Sequence, residues 1–347
     1  MFLNKVDILY MRLIGAIKKG GKFQNPIPTD EAGFSKMIPI LRDYMNNKAE
    51  TTPIKTLGPF KTDVSVYHMP PKNGLRVTLV GHSSLLIEID GKRILTDPVW
   101  SDRVSFLSFM GPKRFFQPPL ALEDLPNLDA VLLSHDHYDH LDKNTINFFK
   151  GKSIPFYCSL GVGKYLKRWG PDADFITEMD WGDSVMIGDD FVLTTTPARH
   201  FSGRGIFNRN ETLWSAFVLK GPKHKIFFGA DSGWFPGFND IGDAYGPFDL
   251  TILEIGAYGK NWPDIHMGPD NASNAHIALR GKIMMPIHWG TFNLALHDWY
   301  EPIERLVEYG KTKKIDLFIP EPGKPTEVDG AYNSEWWKPF MSIPSPL

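Results

Sequence analysis

Short apolar runs separated by turns dominate the chain from residue 75 onward, whereas residues 1–72 follow a looser pattern. Apolar runs of this length, bounded by glycine and proline, are typical of β-strands. In the first half of the chain they predict strands at 75–80, 84–89, 92–96 and 128–133. In the second half they predict a hairpin at 185–195 and strands at 213–219, 225–228, 250–255 and 283–287.

Helical periodicity falls between these strands and also in the N-terminal region. It predicts helices at 30–46, 143–150, 160–169, 271–280 and 302–309. Thr29 or Asp30 is expected to cap the first of them. Strand pairs followed by helices occur twice, which indicates two sheets packed face to face with helices outside. The expected fold class is α/β, a four-layer αββα sandwich at 73–347 preceded by an N-terminal helical arm at 1–72.

The start of the arm allows two interpretations. Residues 8–17 are apolar apart from Arg12, and Lys5, Arg12 and Lys19 recur every seven residues, so a helix would carry them on one face. Such a basic amphipathic helix could rest on an anionic membrane surface, or it could pack on the protein body. No apolar stretch is long enough to span a bilayer, and no signal-peptide cleavage site follows. We expect a cytoplasmic protein, with peripheral contact to the inner membrane face as the membrane alternative.

Composition narrows the function classes. The 347 residues are 42% hydrophobic and 22% charged, which is ordinary for a folded globular protein. A formal net charge of −2 offers no basic surface, so no nucleic-acid partner is expected. The single cysteine, Cys158, cannot form an internal disulfide, and its apolar neighbours favour a buried, unreactive thiol.

One segment carries most of the candidate chemistry. Directly after the predicted strand at 128–133, four side chains that can bind metals fall within six residues, namely His135, His137, Asp139 and His140. Imidazole and carboxylate groups are the ligands that zinc accepts, and iron or manganese accept them less exclusively. A polar loop that is rich in histidine by chance is the alternative, and this density of donors argues against it.

Further single donors follow other predicted strands. His200, Asp231 and His288 each come after an apolar run, where the edge of a sheet can gather side chains from distant parts of the chain. Each of them alone would be read as a structural residue. Together with the histidine-rich segment, they predict a centre with two metal ions, because one loop cannot complete two coordination spheres.

These motifs resemble those of the metallo-β-lactamase superfamily. Further phrases are similar to the N-acylphosphatidylethanolamine-hydrolysing phospholipase D family, namely Gly81-His82-Ser83-Ser84, Thr96-Asp97-Pro98, Gly111-Pro112-Lys113-Arg114 and Ile287-His288-Trp289-Gly290. The similarity covers most of the chain. Two segments depart from the family pattern and are expected to alter the substrate mouth, the loop Gly268-Pro269-Asp270-Asn271 and the tail around Trp336-Trp337.

The resemblance implies a role for each matching residue. The first zinc ion would be held by His135, His137 and His200, and the second by Asp139, His140 and His288. Asp231 would bridge the two ions. The residues next to the metal ligands would be Asp97, which orients a metal histidine, and His82 and Ser134. For His82, a structural role as a hydrogen-bonded histidine at a strand end is the preferred interpretation. The catalytic group would comprise Asp139, Asp231 and His266, with His266 contacting the substrate phosphate or acting as an acid.

The leading functional hypothesis is therefore a two-zinc phosphodiesterase of the phospholipase D type. Its substrate would be N-acyl phosphatidylethanolamine, a related phospholipid or another small phosphodiester. Two cations lower the pKa of water enough to provide hydroxide near neutral pH. The same chemistry suits a lactonase or another ester or amide hydrolase, so the fold alone does not decide. A binding protein that has lost catalysis ranks last, because no predicted metal position is broken. The family also implies a homodimer.

Overall fold

The computed structural model describes residue 13 and residues 15–31, 36–107, 109–205 and 207–342. Near the N-terminus, β1 (Lys18–Lys19) and β2 (Lys22–Phe23) form a small antiparallel hairpin that the sequence pattern did not predict. Within the described ranges, seven strands form the first large sheet. In spatial order they are β16 (Thr326–Glu327), β3 (Leu75–Gly81), β4 (Ser84–Ile89), β5 (Lys92–Thr96), β6 (Ala130–Leu133), β7 (Phe156–Ser159) and β8 (Ile176–Met179).

The second sheet has eight strands among the residues that the structure describes. In spatial order they are β17 (Tyr332–Asn333), β15 (Asp316–Ile319), β14 (Gly281–Ile287), β13 (Phe248–Glu254), β12 (Lys225–Phe228), β11 (Ala216–Lys220), β10 (Val192–Thr196) and β9 (Ser184–Met186). Each sheet is antiparallel on one side and parallel on the other, with β5 to β8 parallel in the first and β12 to β15 in the second.

The main core lies between the two sheets, and the strands alternate across it. Along β6, Ala130 and Leu132 face the second sheet, whereas Val131 and Leu133 belong to a separate cluster on the outer face. All four residues are fully buried. Because both faces of the strand are covered, its sequence is a continuous apolar run rather than an alternating one.

Helices cover the outer face of each sheet. Helices α2 (Lys143–Phe148) and α3 (Gly163–Trp169) pack on the first sheet through Ile146 and Leu166. The second sheet is covered by α4 (Gly237–Tyr245), α5 (Gly268–Ala278) and α6 (Glu301–Lys313). The layers therefore run helix, sheet, sheet, helix, and the predicted αββα sandwich is confirmed. Among the described residues, every helix is too short or too polar to cross a bilayer.

The predicted first helix is shorter than expected. Helix α1 spans Met37–Asn46, and its N-cap is Lys36, which makes no capping hydrogen bond. Thr29 does not cap it either, because its hydroxyl donates to the carbonyl of Ile27. The proposed amphipathic helix falls largely on residues 1–12 and 14, outside the described part of the chain. The division between arm and body at residue 72 stays a prediction.

Both segments that depart from the family pattern are regular parts of the fold, and their effect on the substrate mouth stays a prediction. Trp337 is fully buried and Trp336 is 7% exposed, and the Trp336 ring stacks on Trp289 at 5.0 Å between centroids. The tail therefore completes the core. The segment Gly268-Pro269-Asp270-Asn271 is the first turn of α5 rather than a loop, since proline needs no hydrogen-bonded N–H at a helix start.

The sequence pattern also missed several elements. The main ones are helix α4, strands β7, β8 and β15, and the two short strands β16 and β17. In α4 the glycines Gly237 and Gly242 lower the helix propensity of the segment, so packing against the second sheet decides its structure. Cys158 lies on β7, where it is buried as expected, and burial raises the pKa of its thiol.

Candidate metal centre

The predicted metal donors lie where strands of both sheets end. His135 follows β6 in the first sheet, while His200, Asp231 and His288 follow β10, β12 and β14 in the second. Strands β10 and β12 are both antiparallel to β11 and so point the same way, and β14 is parallel to β13 beside them. Their carboxyl ends therefore share one edge, which is where α/β proteins gather functional side chains.

The first cluster consists of three histidines and one carboxylate. His137 Nδ1 lies 2.9 Å from His135 Nε2 and 3.2 Å from His200 Nε2. Asp231 Oδ2 lies 3.9 Å from His135 Nε2 and 3.6 Å from His200 Nε2. One donor atom from each of the four residues therefore falls within a sphere that a single metal ion could occupy.

The second cluster lies on the other side of Asp231. The Oδ1 atom of Asp231 is 3.1 Å from His140 Nε2 and 3.2 Å from His288 Nε2. Asp139 Oδ2 is 3.6 Å and 3.4 Å from the same two nitrogens. The two oxygens of Asp231 thus face different clusters, which is the arrangement of a carboxylate that bridges two metal ions.

Unpaired buried atoms test whether these residues fit metal ions. His140 Nε2, His288 Nε2 and Asp231 Oδ1 are buried and make no hydrogen bond with any of the described residues. Buried polar atoms without partners are rare in folded proteins, because losing water without a replacement is costly. The three atoms point at one another in a set of imidazole and carboxylate donors, the ligand chemistry of zinc. The residues therefore fit a pair of metal ions.

The histidines of the two clusters differ in protonation. Burial holds the pKa of His135 and of His200 well below the usual value, so both rings are neutral. Burial alone would also lower the pKa of His288, but the carboxylates of Asp231 and Asp139 outweigh it and raise that pKa to about 10. The same carboxylates attract metal cations, so a metal at the second cluster would compete with this proton.

Neighbouring side chains orient the donors. The Asp97 carboxylate accepts hydrogen bonds from His140 Nδ1 at 2.7 Å and from the Ser134 hydroxyl at 2.7 Å. His82 Nε2 lies 2.9 Å from Asp139 Oδ2, and its ring packs on His288 with centroids 3.8 Å apart. All three residues predicted to flank the ligands therefore lie in contact with them. Such partners set which imidazole nitrogen is free to bind a metal.

Strained backbone accompanies this arrangement. Three of these residues, His82, Asp97 and His288, have positive φ angles of 58°, 33° and 65°. Residues other than glycine rarely adopt such angles, because Cβ approaches the backbone, and they occur preferentially at functional sites. Here the unusual angles turn the side chains inward at the ends of strands.

Glu254 was missed by the sequence reasoning. It is the last residue of β13 and fully buried, and its Oε2 lies 2.5 Å from Nδ1 of His266. Its other oxygen accepts a hydrogen bond from the backbone N–H of Ser232 at 2.9 Å. The sequence pattern that identified Asp231, a single carboxylate at the end of a buried apolar run, could also have identified Glu254. His266 itself lies in the loop before α5, beside the clusters as expected.

The N-terminal arm also reaches the centre. The side-chain amide of Asn25 makes two hydrogen bonds with the backbone of His200. Its Oδ1 accepts from the N–H at 2.9 Å, and its Nδ2 donates to the carbonyl at 2.6 Å. Glu31 accepts a hydrogen bond from Arg209 Nε at 3.0 Å at the rim of the site. Neither Asn25 nor Glu31 stood out in the sequence, because isolated polar residues in an arm carry no spacing signal.

A cavity of about 300 Å³ opens onto the two clusters. His137, Asp139 and His288 line its floor, and His266 and Trp262 line its wall. A second cavity of about 640 Å³ adjoins it and shares Trp262 and Leu294. Its remaining walls are largely apolar, with Ile40 and Tyr44 from α1 and Phe115 from the body.

Comparison with known proteins gives concordant results. The profile of the family described as "Beta-lactamase superfamily domain" matches residues 92–289. An uncharacterized protein of Mycobacterium tuberculosis is 46% identical over 269 residues, which cover 76% of this chain and 72% of that protein. The N-acyl-phosphatidylethanolamine-hydrolyzing phospholipase D 1 of Caenorhabditis elegans is 39% identical over 249 residues, covering 68% of this chain and 70% of that enzyme.

Among solved structures, an isothiocyanate hydrolase from Delia radicum gut bacteria has the same fold. It superposes with a TM-score of 0.58 at 20% identity, covering 72% of this chain and 98% of that chain. At this level of identity the likeness concerns the fold and carries no information about the substrate.

Proposed function

This chain belongs to the metallo-β-lactamase superfamily and is a metal-dependent hydrolase, and we propose that it is a two-zinc phosphodiesterase of the phospholipase D type. Its substrate in this proposal is N-acyl phosphatidylethanolamine or a related phospholipid. The observation that carries the proposal is the pair of donor clusters that share Asp231. The similarity to the nematode phospholipase D supports the choice of substrate.

The ligands divide between the two ions as the clusters do. His135, His137 and His200 would hold one ion, Asp139, His140 and His288 would hold the other, and Asp231 would contact both. Bound zinc supplies Lewis acidity and lowers the pKa of water, so that a nucleophile is available near neutral pH. Donor chemistry favours zinc, and iron or manganese would accept the same ligands.

His266 is placed to act as a general acid. Its Nδ1 is engaged by Glu254, which leaves Nε2 for the substrate side of the ring. Hydrolysis adds water to phosphorus and breaks the P–O bond to the N-acylethanolamine, whose oxygen then needs a proton. The imidazolium of His266 can donate that proton from Nε2. Before the transfer, the Glu254 carboxylate stabilises the protonated ring. The products are phosphatidic acid and N-acylethanolamine.

The cavities suit a substrate with a polar centre and an apolar tail. The scissile phosphate would lie in the cavity beside the clusters, near the guanidinium of Arg209 on its wall. The adjoining cavity of about 640 Å³ offers apolar surface for an acyl chain. A small polar substrate would leave this second cavity unused.

The test compares three substrates on zinc-loaded protein. We expect release of phosphatidic acid from vesicles that contain N-acyl phosphatidylethanolamine, together with turnover of the soluble phosphodiester bis-p-nitrophenyl phosphate. Both should be lost in Asp231→Ala and retained in Asp329→Ala, which removes an exposed carboxylate far along the chain. Turnover of a lactone alone would contradict the proposal and favour the ester-hydrolase alternative.

A further inference from the structure

A cavity larger than the one at the metal centre lies between helix α3 and a loop whose described residues are 101–107 and 109–113. Its volume is about 710 Å³. Leu107 and Phe109 line the loop side, and Tyr165, Arg168 and Trp169 line the helix side. Its wall also includes Tyr138, which stands between the candidate ligands His137 and Asp139 in the chain. The cavity therefore lies next to the metal centre without being part of it.

Positive charge dominates the lining of this cavity. Four cations line it, namely Arg103, Lys143, Arg168 and Arg204, against the two carboxylates of Asp102 and Asp142. Both carboxylates are already hydrogen-bonded, Asp142 to Ser101 and Thr145 and Asp102 to Gln117. Within the described part of the chain, Lys143 and Arg168 form no ion pair or hydrogen bond through their side chains. Two cations are therefore available for an anion.

Arg204 forms a fixed cationic wall. Its guanidinium lies 3.9 Å from the ring centroid of Tyr138 and 5.1 Å from that of Trp169. Its Nη1 donates to the backbone carbonyls of Asp136 and Leu141 at 2.8 and 2.7 Å. Stacking and hydrogen bonding hold the group in place before any ligand arrives, so binding an anion here costs little side-chain entropy.

The rim of the cavity is apolar and exposed. Phe106, Phe109 and Met110 are 81%, 70% and 56% exposed at the tip of the loop. On either side of residue 108, the Met110 N–H and the Ser105 hydroxyl both donate to the Leu107 carbonyl. Exposing three large apolar side chains together is unfavourable in water and marks a contact surface.

The order of side chains along the loop matches the depth profile of a bilayer. The backbones of Arg103 and Lys113 form an isolated antiparallel β-bridge at the base of the loop, and the apolar side chains lie beyond them at the tip. Cationic groups are attracted to an anionic lipid surface, while apolar side chains are stabilised deeper among the acyl chains. A free anion in solution would fill the cavity but would leave the apolar tip exposed.

We propose that this cavity binds the headgroup of an anionic phospholipid while Phe106, Phe109 and Met110 enter the acyl-chain region of the membrane. The contact would hold the metal centre at the lipid surface. This inference goes beyond the proposed reaction and does not depend on it, because vesicle binding is measured without turnover.

The test is co-sedimentation of the full-length, zinc-loaded protein with vesicles. Vesicles of phosphatidylcholine alone are compared with vesicles that also contain phosphatidylglycerol. We expect the wild type to prefer the anionic vesicles and Lys143→Gln/Arg168→Gln to bind them about tenfold to thirtyfold more weakly, as expected for two lost cations. Phe106→Ser/Phe109→Ser should weaken binding to both kinds of vesicle. The matched charge control is Lys220→Gln/Lys223→Gln, at exposed positions at the end of β11 and in the turn that follows it.

Several outcomes would overturn the proposal. Unchanged vesicle binding in both the lysine–arginine variant and the phenylalanine variant would contradict it. An equal loss of binding in the Lys220→Gln/Lys223→Gln control would also contradict it, because it would indicate non-specific charge attraction. Displacement of the protein from vesicles by inorganic phosphate, with no effect of the phenylalanine changes, would assign the cavity to a soluble anion. A phenylalanine variant that changes only the oligomeric state would assign the loop to a subunit interface. Unchanged zinc content and thermal melting show that each variant is folded, even if the protein has no phosphodiesterase activity.

Discussion

Asp231 occupies the position at which the two donor clusters meet. Its Oδ2 faces His200 and its Oδ1 faces His140, so one side chain serves both sides. Asparagine has nearly the same shape but carries no charge, and it replaces one of these oxygens with an NH₂ group that cannot bind a metal. The effect of removing this carboxylate should therefore exceed that of changing a residue that only orients a ligand.

We expect Asp231→Asn to lower the zinc-to-protein ratio and to reduce turnover by more than about 100-fold, the upper range for partners of metal ligands. Elemental analysis and bis-p-nitrophenyl phosphate turnover measure the two effects, with Asp329→Asn as the control. Full zinc content together with full activity in Asp231→Asn would show that the carboxylate bridges nothing.

Glu254 should act through His266 rather than through a metal ion. Its Oε2 lies 2.5 Å from His266 Nδ1 but 3.9 Å from His288 Nδ1, so the hydrogen bond goes to the ring on the substrate side. Glu254→Gln keeps the shape and removes the charge that stabilises an imidazolium.

We expect Glu254→Gln to reduce kcat about 10- to 100-fold at unchanged KM and unchanged zinc content. Combined with His266→Gln it should add little further loss, because both changes disable the same proton transfer. Steady-state kinetics of the two single variants and the double variant provide the test. Loss of zinc in Glu254→Gln would instead assign this carboxylate to the metal ligands.

At the scale of elements, the two sheets are joined at the end opposite the metal centre. Asp90, in the turn between β4 and β5, accepts hydrogen bonds from the backbone N–H groups of Lys223 and His224, both at 2.8 Å, in the turn of the other sheet. It also accepts from His224 Nδ1 at 2.7 Å. The carboxylate is nearly buried, so removing it leaves donors of the second sheet without a partner.

Asp90→Asn should lower the free energy of unfolding by about 1–3 kcal/mol at neutral pH. Burial raises the pKa of Asp90, but the bonds from His224 and Lys223 outweigh it, and the folded pKa lies below the usual value. A lowered folded pKa means that the contribution is complete above the unfolded pKa, near 3.9, and is lost as pH falls through the folded pKa. The difference in urea denaturation between the two proteins should therefore be complete above about pH 4 and should shrink as the pH falls below that value. A pH-independent difference would contradict this assignment.

The elements that surround the centre were predicted unevenly. Strands β4, β5 and β12 fall on the predicted ranges 84–89, 92–96 and 225–228. Short apolar runs that are bounded by turn residues are typical of strands, so the pattern predicts them well. Helix α4 contains two glycines and was missed, since only its packing on the second sheet makes it helical. Predicted helix ends moved by several residues for the same reason.

At the scale of the whole molecule, the donors come from both sheets. His135, His137, Asp139 and His140 follow β6 of the first sheet, and His200, Asp231 and His288 follow strands of the second. Bound metal ions would therefore connect the two layers at this end, in addition to the apolar packing between the sheets and the Asp90 hydrogen bonds at the other end, and they would stabilise the folded chain beyond the site itself.

Removal of metal by a chelator should lower the free energy of unfolding, and added zinc should restore it. At a free zinc concentration of about 100 times Kd the expected contribution is about 2.7 kcal/mol, because the ion binds the folded state in preference to the unfolded one. Thermal melting with and without chelator measures the shift, and Asp231→Asn should show a smaller one. Identical melting curves for the wild type in both conditions would show that no ion bridges the layers.

The sequence by itself determined the kind of chemistry and the class of fold. The spacing of His135, His137, Asp139 and His140 is local, so one loop presents these donors wherever it lies. The αββα layers follow from the order of apolar runs, because each run must bury its apolar faces.

Only the tertiary structure decided which distant groups meet. Asp231 faces both clusters, Glu254 pairs with His266, and Arg204 stacks on Tyr138, although each pair is separated by a dozen to many dozens of residues. The packing angle and register of the two sheets set those distances. Tertiary packing also placed Trp336 and Trp337 in the core. A local sequence pattern does not show against which surface an apolar side chain will pack.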